Sequence, residues 1–314
     1  MTRGTGAPLR RPRAPALALV VLGAGLVVGP VAGGMFAKTA AGRQMIDRFA
    51  PHMQAGALDR YGSDVATLRQ GAAALQTVYA QQAVPPGRFP GLDVYRTEAP
   101  AIDARAQHLL DRITAAQPDY RRVASIGGFD RVPFLIVLCG LVAVYGGIVL
   151  LTGTRRRSRS GAALVIVASA ALSAYPFLSG MERGGSAGQR MLHEFAPVMT
   201  QGEVRQLQSD FVVLVTAVGE LDTGFKDVPT PGPAASDLRS VVTAWPTISS
   251  DFASIVGVVN DDISDFHGLS QLDALPRHVG LPGFEAFPWM FVGIGAVSAG
   301  LAVAAWPRRR KETV

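Results

Sequence analysis

Met45-Ile46-Asp47-Arg48-Phe49-Ala50-Pro51-His52-Met53 returns 146 residues later as Met191-Leu192-His193-Glu194-Phe195-Ala196-Pro197-Val198-Met199. The same offset lays Pro30 on Pro176, Gly34 on Gly180, Met35 on Met181 and Gly56 on Gly202. It carries on through Ser63-Asp64 over Ser209-Asp210, and Pro100 and Ile102 over Pro246 and Ile248. Beyond a short insertion, Gly128-Phe129-Asp130-x-x-Pro133 meets Gly283-Phe284-Glu285-x-x-Pro288. Prolines and glycines held in step over such a span read as an internal tandem duplication. Each copy starts and ends in an apolar run, so the repeated unit is membrane helix, outer domain, membrane helix.

The apolar residues of this 314-residue chain gather in four runs: 14–36, 132–151, 161–178 and 287–306. None contains Asp, Glu, Lys, Arg or His, and each is close to the ~20 residues that cross a hydrocarbon core. Arg3, Arg10, Arg11 and Arg13 precede the first run. Arg155, Arg156, Arg157 and Arg159 fill the link between the second and third, and Arg308, Arg309, Arg310 and Lys311 follow the fourth. Basic flanks are retained in the cytoplasm. The N-terminus (1–13), the basic link (152–160) and the C-terminus (307–314) are therefore expected inside, and segments 37–131 and 179–286 outside. The net charge of +6 is a product of this topology and not of a nucleic-acid patch. The first run has the basic start of a signal peptide, but its apolar stretch is long for one and its duplicate is internal, so it is read as a retained anchor.

In the first outer segment Leu58, Tyr61, Val65, Leu68, Ala72, Leu75 and Tyr79 follow a 3–4 spacing, as do Val204, Leu207, Phe211, Leu214, Val218 and Leu221 in the second. Ile102, Ala106, Leu109 and Ile113 make a further seam, echoed by Ile248, Phe252, Ile255 and Val259. Single apolar stripes of this kind belong to helices that pack in bundles. Pro85-Pro86-Gly87 and Pro229-Thr230-Pro231-Gly232-Pro233 break them at equivalent places. The expected fold is an all-α membrane protein with four transmembrane helices and two extracellular helical-hairpin domains. The helix leaving the first membrane run is expected to continue through Phe49. From 37 to 131 there are 12 basic and 9 acidic residues, net +3; from 179 to 286 there are 6 and 14, net −8. Hairpins of opposite charge should attract each other.

Chemistry is sparse. Asp261-Asp262-Ile263-Ser264-Asp265 is the densest acidic cluster and resembles the aspartate-rich motif of prenyl-transferring enzymes, which hold magnesium and diphosphate. That family needs a second motif, which is missing here. Asp261, Asp262 and Asp265 are the nearest approach to a hard-cation set, but a charge run on a helix is ordinarily a solvated face. His52, His108, His193, His267 and His278 make no zinc spacing. There is no P-loop, and the single cysteine, Cys139, lies in a membrane run. No cofactor, metal or enzyme activity is expected. The small-residue stripes Gly25/Gly29/Gly33, Ala143/Gly147, Ala170/Ala174 and Ala296/Gly300 are expected to pack within the four-helix bundle.

The paired phrases Met-(Ile/Leu)-x-x-Phe-Ala-Pro-x-Met and Gly-Phe-(Asp/Glu)-x-x-Pro-(Phe/Trp) resemble those of uncharacterised actinobacterial four-pass membrane proteins with duplicated helix–ectodomain–helix units. The architecture is also similar to that of prominin- and tweety-like proteins, which differ in the number of passes. Neither resemblance implies an activity or a site residue. Two function classes follow. The first is a non-enzymatic plasma (inner) membrane protein, an accessory or scaffold subunit presenting helical outer domains to another envelope membrane protein or to a second copy of itself. The alternative is a component that binds or transports a lipid or hydrophobic ligand in a groove between the duplicated halves. The bilayer is a partner in both, and nucleic acid in neither.

Overall fold

The computed structural model describes residues 13–82, 84–230, 232–278 and 280–306, without the side chain of Arg155. Arg3, Arg10, Arg11, Pro231, the 308–311 basic cluster and the outermost termini lie outside the described residues. Every element among the described residues is a helix: α1 (Arg13–Ala32), α2 (Met35–Phe49), α3 (Ala55–Gln81), α4 (Pro90–Ala124), α5 (Val132–Thr152), α6 (Arg155–Leu178), α7 (Met181–Phe195), α8 (Gln201–Thr223), α9 (Gly232–Arg277) and α10 (Phe287–Ala304). Five helices are long and apolar enough to cross a membrane: α1, α5, α6, α10 and the 46-residue α9. Four of these match the charge-free runs read from the sequence; α9, the least apolar of the five, adds a fifth with Asp251 inside it.

The chain divides into two compact units. The first comprises the described parts of residues 1–43, 122–189 and 268–314. Here α1 packs on α5, α5 on α6, α6 on α10, and α10 on α1. Glycines set the distance of closest approach. A Cβ on Gly140 would stand 2.8 Å from the Gly23 carbonyl, and one on Gly147 3.0 Å from that of Ala16, so α1 and α5 meet backbone to backbone. Gly295 lies similarly against Ser169 and Ser173. Such contact maximises dispersion where lipid offers no hydrophobic drive for helix association. The expected stripes are corrected here. Ala143 and Gly147 do pack inside, but Gly25 and Gly29 have nothing within 4 Å of an added Cβ, and Ala170, Ala174, Ala296 and Gly300 are exposed. On α1 the close approach falls on Gly23, off the Gly25/Gly29/Gly33 stripe.

A continuous helix through Phe49 is also corrected. The chain turns at Gly34, whose φ of +62° suits glycine, and resumes as α2; Gly180, at φ +77°, makes the same turn between α6 and α7. Pro30 and Pro176 each stand two residues before the helix end. The Gly-Phe-acid phrases form single 3-10 turns, Phe129–Arg131 and Phe284–Ala286, before α5 and α10. Pro133 and Pro288 follow in the first helical turn, where a missing N–H leaves no bond unmade. The turns are braced differently: Tyr175 donates its hydroxyl to the Gly128 carbonyl at 2.8 Å, and the Phe284 N–H donates to Asp273 at 2.8 Å.

The second unit comprises residues 44–121 and 190–267 and is built from α3, α4, α8, α9 and the ends of α2 and α7. One end of it is closed by Leu75, Val78, Leu92, Tyr95, Leu214, Leu221 and Leu238, all buried. A separate cluster is made by Met45 and Met191, Phe49 and Phe195, Met53 and Met199, Tyr120 and Phe266. Each of these pairs is 146 residues apart. The Phe49 and Phe195 rings touch, with centroids 5.8 Å apart, and the space left is only about 10 Å³. Each of these large side chains contributes roughly 1.5–3 kcal/mol by leaving water. Ion pairs join the helices across this unit: Arg105 to Asp210, Arg60 to Asp251, Arg48 to Asp262, Arg112 to Glu194 and Arg190 to Asp119. In four of the five the arginine precedes residue 131 and the acid follows residue 179, in keeping with the +3 and −8 imbalance.

Candidate functional site

Between those two closed ends the second unit is not packed shut. The seam residues Val65, Leu68, Ala106, Leu109, Phe252 and Ile255 are only half-buried, and they line a cavity of about 90 Å³ walled by α3, α4, α8 and α9. A second cavity of about 210 Å³ between α3 and α4 shares Val65, Leu68, Ile102, Ala106 and Leu214 with it. The reason is visible in the side chains. Leu, Tyr and Phe fill the ends, whereas Ala72, Ala99 and Ala106 stand where longer residues would close the middle. Pro100 adds to the opening. It cannot donate to the carbonyl of Arg96, four residues back, and Gln76 Nε2 donates to that carbonyl instead, at 3.0 Å.

Three polar residues, Tyr61, Asp64 and Asp251, lie among the otherwise apolar lining of the first cavity. The Tyr61 hydroxyl and His52 Nδ1 share a buried hydrogen bond of 2.7 Å. Arg60 donates to both oxygens of Asp251, at 2.5 and 3.4 Å, and its guanidinium carbon lies 5.3 Å from the Tyr61 ring centroid. Burial lowers the His52 pKa, with Asp251 opposing and Arg60 adding to it, so the ring stays neutral. Burial raises the Tyr61 pKa, and Asp251 adds to the rise. Asp64 is raised for the same two reasons, with Arg60 opposing them. The site therefore holds a neutral hydrogen-bonded pair, one ion pair and one further carboxylate.

The residues 146 positions on make a different site. Asp210, the counterpart of Asp64, receives Arg105 at 2.7 and 2.6 Å and Gln206 at 3.1 Å. Val198 and Leu207 stand where His52 and Tyr61 would be, and both are buried. The counterpart of Arg105 is Asp251. One site is thus neutralised and the other carries an extra negative charge beside the cavity. Sequence reasoning missed His52, Arg60, Tyr61, Asp64 and Asp251. For all but Asp64, which matches Asp210, the signal lay at positions 146 apart that differ in charge or polarity: His52 against Val198, Arg60 against Gln206, Tyr61 against Leu207 and Asp251 against Arg105.

The acidic run falls elsewhere. Asp262 is wholly buried and accepts a 2.5 Å bond from Arg48, which also lies 3.7 Å from Asp265, so a solvated face is the wrong description of Asp262. Its second oxygen has no hydrogen-bond partner, and burial raises its pKa against the opposing pull of Arg48. Asp261 is exposed. Among the described residues, no three His, Cys, Asp or Glu side chains come together as a metal site. Comparison with protein-family models, with curated proteins and with solved structures found no match.

Proposed function

We propose that this chain is a non-enzymatic multi-pass protein of the plasma membrane whose helical outer unit binds a hydrophobic or amphiphilic ligand. The four passes are α1, α5, α6 and α10, with both termini cytoplasmic, and the two halves arose by tandem duplication. Supporting the duplication, α2 and α7 have the same length and begin 146 residues apart, and paired residues at that spacing share one cluster. Supporting four passes, Asp251 and Asp262 of α9 are engaged with arginines, and such groups are costly in hydrocarbon.

The observation that carries the ligand reading is the apolar cavity of the second unit with a polar edge, the usual composition of a small-molecule site. The accessory-subunit class has no comparable feature to rest on. The test is purification of the full chain from native membrane in polymer-bounded discs, followed by mass spectrometry of bound lipids and small amphiphiles. Wild-type protein should retain a stoichiometric amphiphile that Ala106→Phe, which fills the cavity, loses without a drop in melting temperature. Equal retention by both proteins, or no specific amphiphile on the wild type, overturns the reading.

A further inference from the structure

The geometry points to a positively charged head on the ligand: the cavity takes an alkylammonium amphiphile, its tail among the apolar side chains and its ammonium on Asp64. This rests on the ligand reading above and names the chemical class.

Two sites in the same unit differ in charge. At Asp210 a guanidinium satisfies both carboxylate oxygens. At Asp64 the equivalent position holds Asp251, and the one guanidinium among the described residues that acts on Asp64, Arg60, is committed to Asp251 by two bonds. Asp64 accepts no hydrogen bond from any described residue, yet it borders the cavity. A half-buried carboxylate in that state gains most from a donor carrying positive charge, because charge-assisted bonds are shorter and about twice as strong as neutral ones. An ammonium offers three donors and a compact charge. An anionic head would meet two carboxylates, and a neutral head would leave the extra charge uncompensated. The volume suits a short or partly inserted tail.

The test uses the full chain in discs of neutral lipid and three probes with the same six-carbon tail: hexylammonium, 1-hexanol and hexanoate. Calorimetric titration, corrected with empty discs, should rank hexylammonium above hexanol by about tenfold in affinity, with hexanoate last. Asp64→Asn, which keeps the shape, should reduce hexylammonium binding to the level of hexanol and leave hexanol unchanged. Ala106→Phe should abolish both. Equal affinity for hexylammonium and hexanol, or no effect of Asp64→Asn, overturns the headgroup assignment while leaving the cavity as a binding site. Binding of no probe, or binding that Ala106→Phe does not change, overturns the cavity reading itself.

Discussion

Asp262 shows what a single residue's surroundings add to its identity. In sequence it is one acid among three; in the structure it is a buried carboxylate held by Arg48. Its folded pKa is raised, so the native state binds its proton more tightly than the unfolded chain does. Its contribution to stability is then fully present below the unfolded pKa and is lost as pH rises through the folded value. Replacing Arg48 with Ala removes the one group that favours the charged form and pushes that value higher still. The loss at neutral pH should be about 2–3 kcal/mol, below the usual cost of breaking a buried pair because the Arg48 side chain keeps 35% of its surface exposed. Thermal unfolding should show the Arg48→Ala deficit shrinking as the pH is lowered. A deficit that stays constant or grows on acidification would mean that Asp262 is not the group left stranded.

At the scale of elements, helices were legible because their apolar spacing is a local property. Leu58, Leu75, Leu214 and Ile248 occupy the seams and are buried. Which glycine brings two helices together was not legible. Gly25, Gly29 and Gly33 have the spacing of a contact face, yet rotation of α1 about its axis is set by α5, α10 and the loops, none of which leaves a mark on those three residues. The contact falls on Gly23 instead. The cavity was hidden for a similar reason: alanine at 72 and 106 satisfies an apolar pattern as well as leucine does, and only the assembled unit reveals the missing volume. Two substitutions separate the helix faces. Gly140→Val, driven against the backbone of α1, should cost about 1–3 kcal/mol by overpacking. Gly25→Val, with open space around it, should be nearly neutral. Melting temperatures of the purified chains in one detergent check both. A harmful Gly25→Val beside a tolerated Gly140→Val would mean that α1 is turned the other way.

For the whole molecule, the proposed four-pass topology makes a direct prediction. Cysteine labels at Arg157 and Val314 should be protected in intact cells, and labels at Gln82 and Thr230 should react with an impermeant reagent; reaction at Arg157 would reverse the orientation. The pairing of Arg105 with Asp210 has a consequence for descent. If the halves came from one ancestral chain, that chain had to self-associate, because the Phe49–Phe195 contact needs a second copy. In a homodimer of first halves, Arg105 of each subunit would meet Asp64 of the other, closing both sites alike. A homodimer of second halves would set Asp210 against Asp251 twice and repel itself. On that premise the first half is the better likeness of the ancestor. On the same premise, a lone anionic pocket could appear only once fusion of the two copies had released them from exact symmetry and let a single arginine position turn acidic.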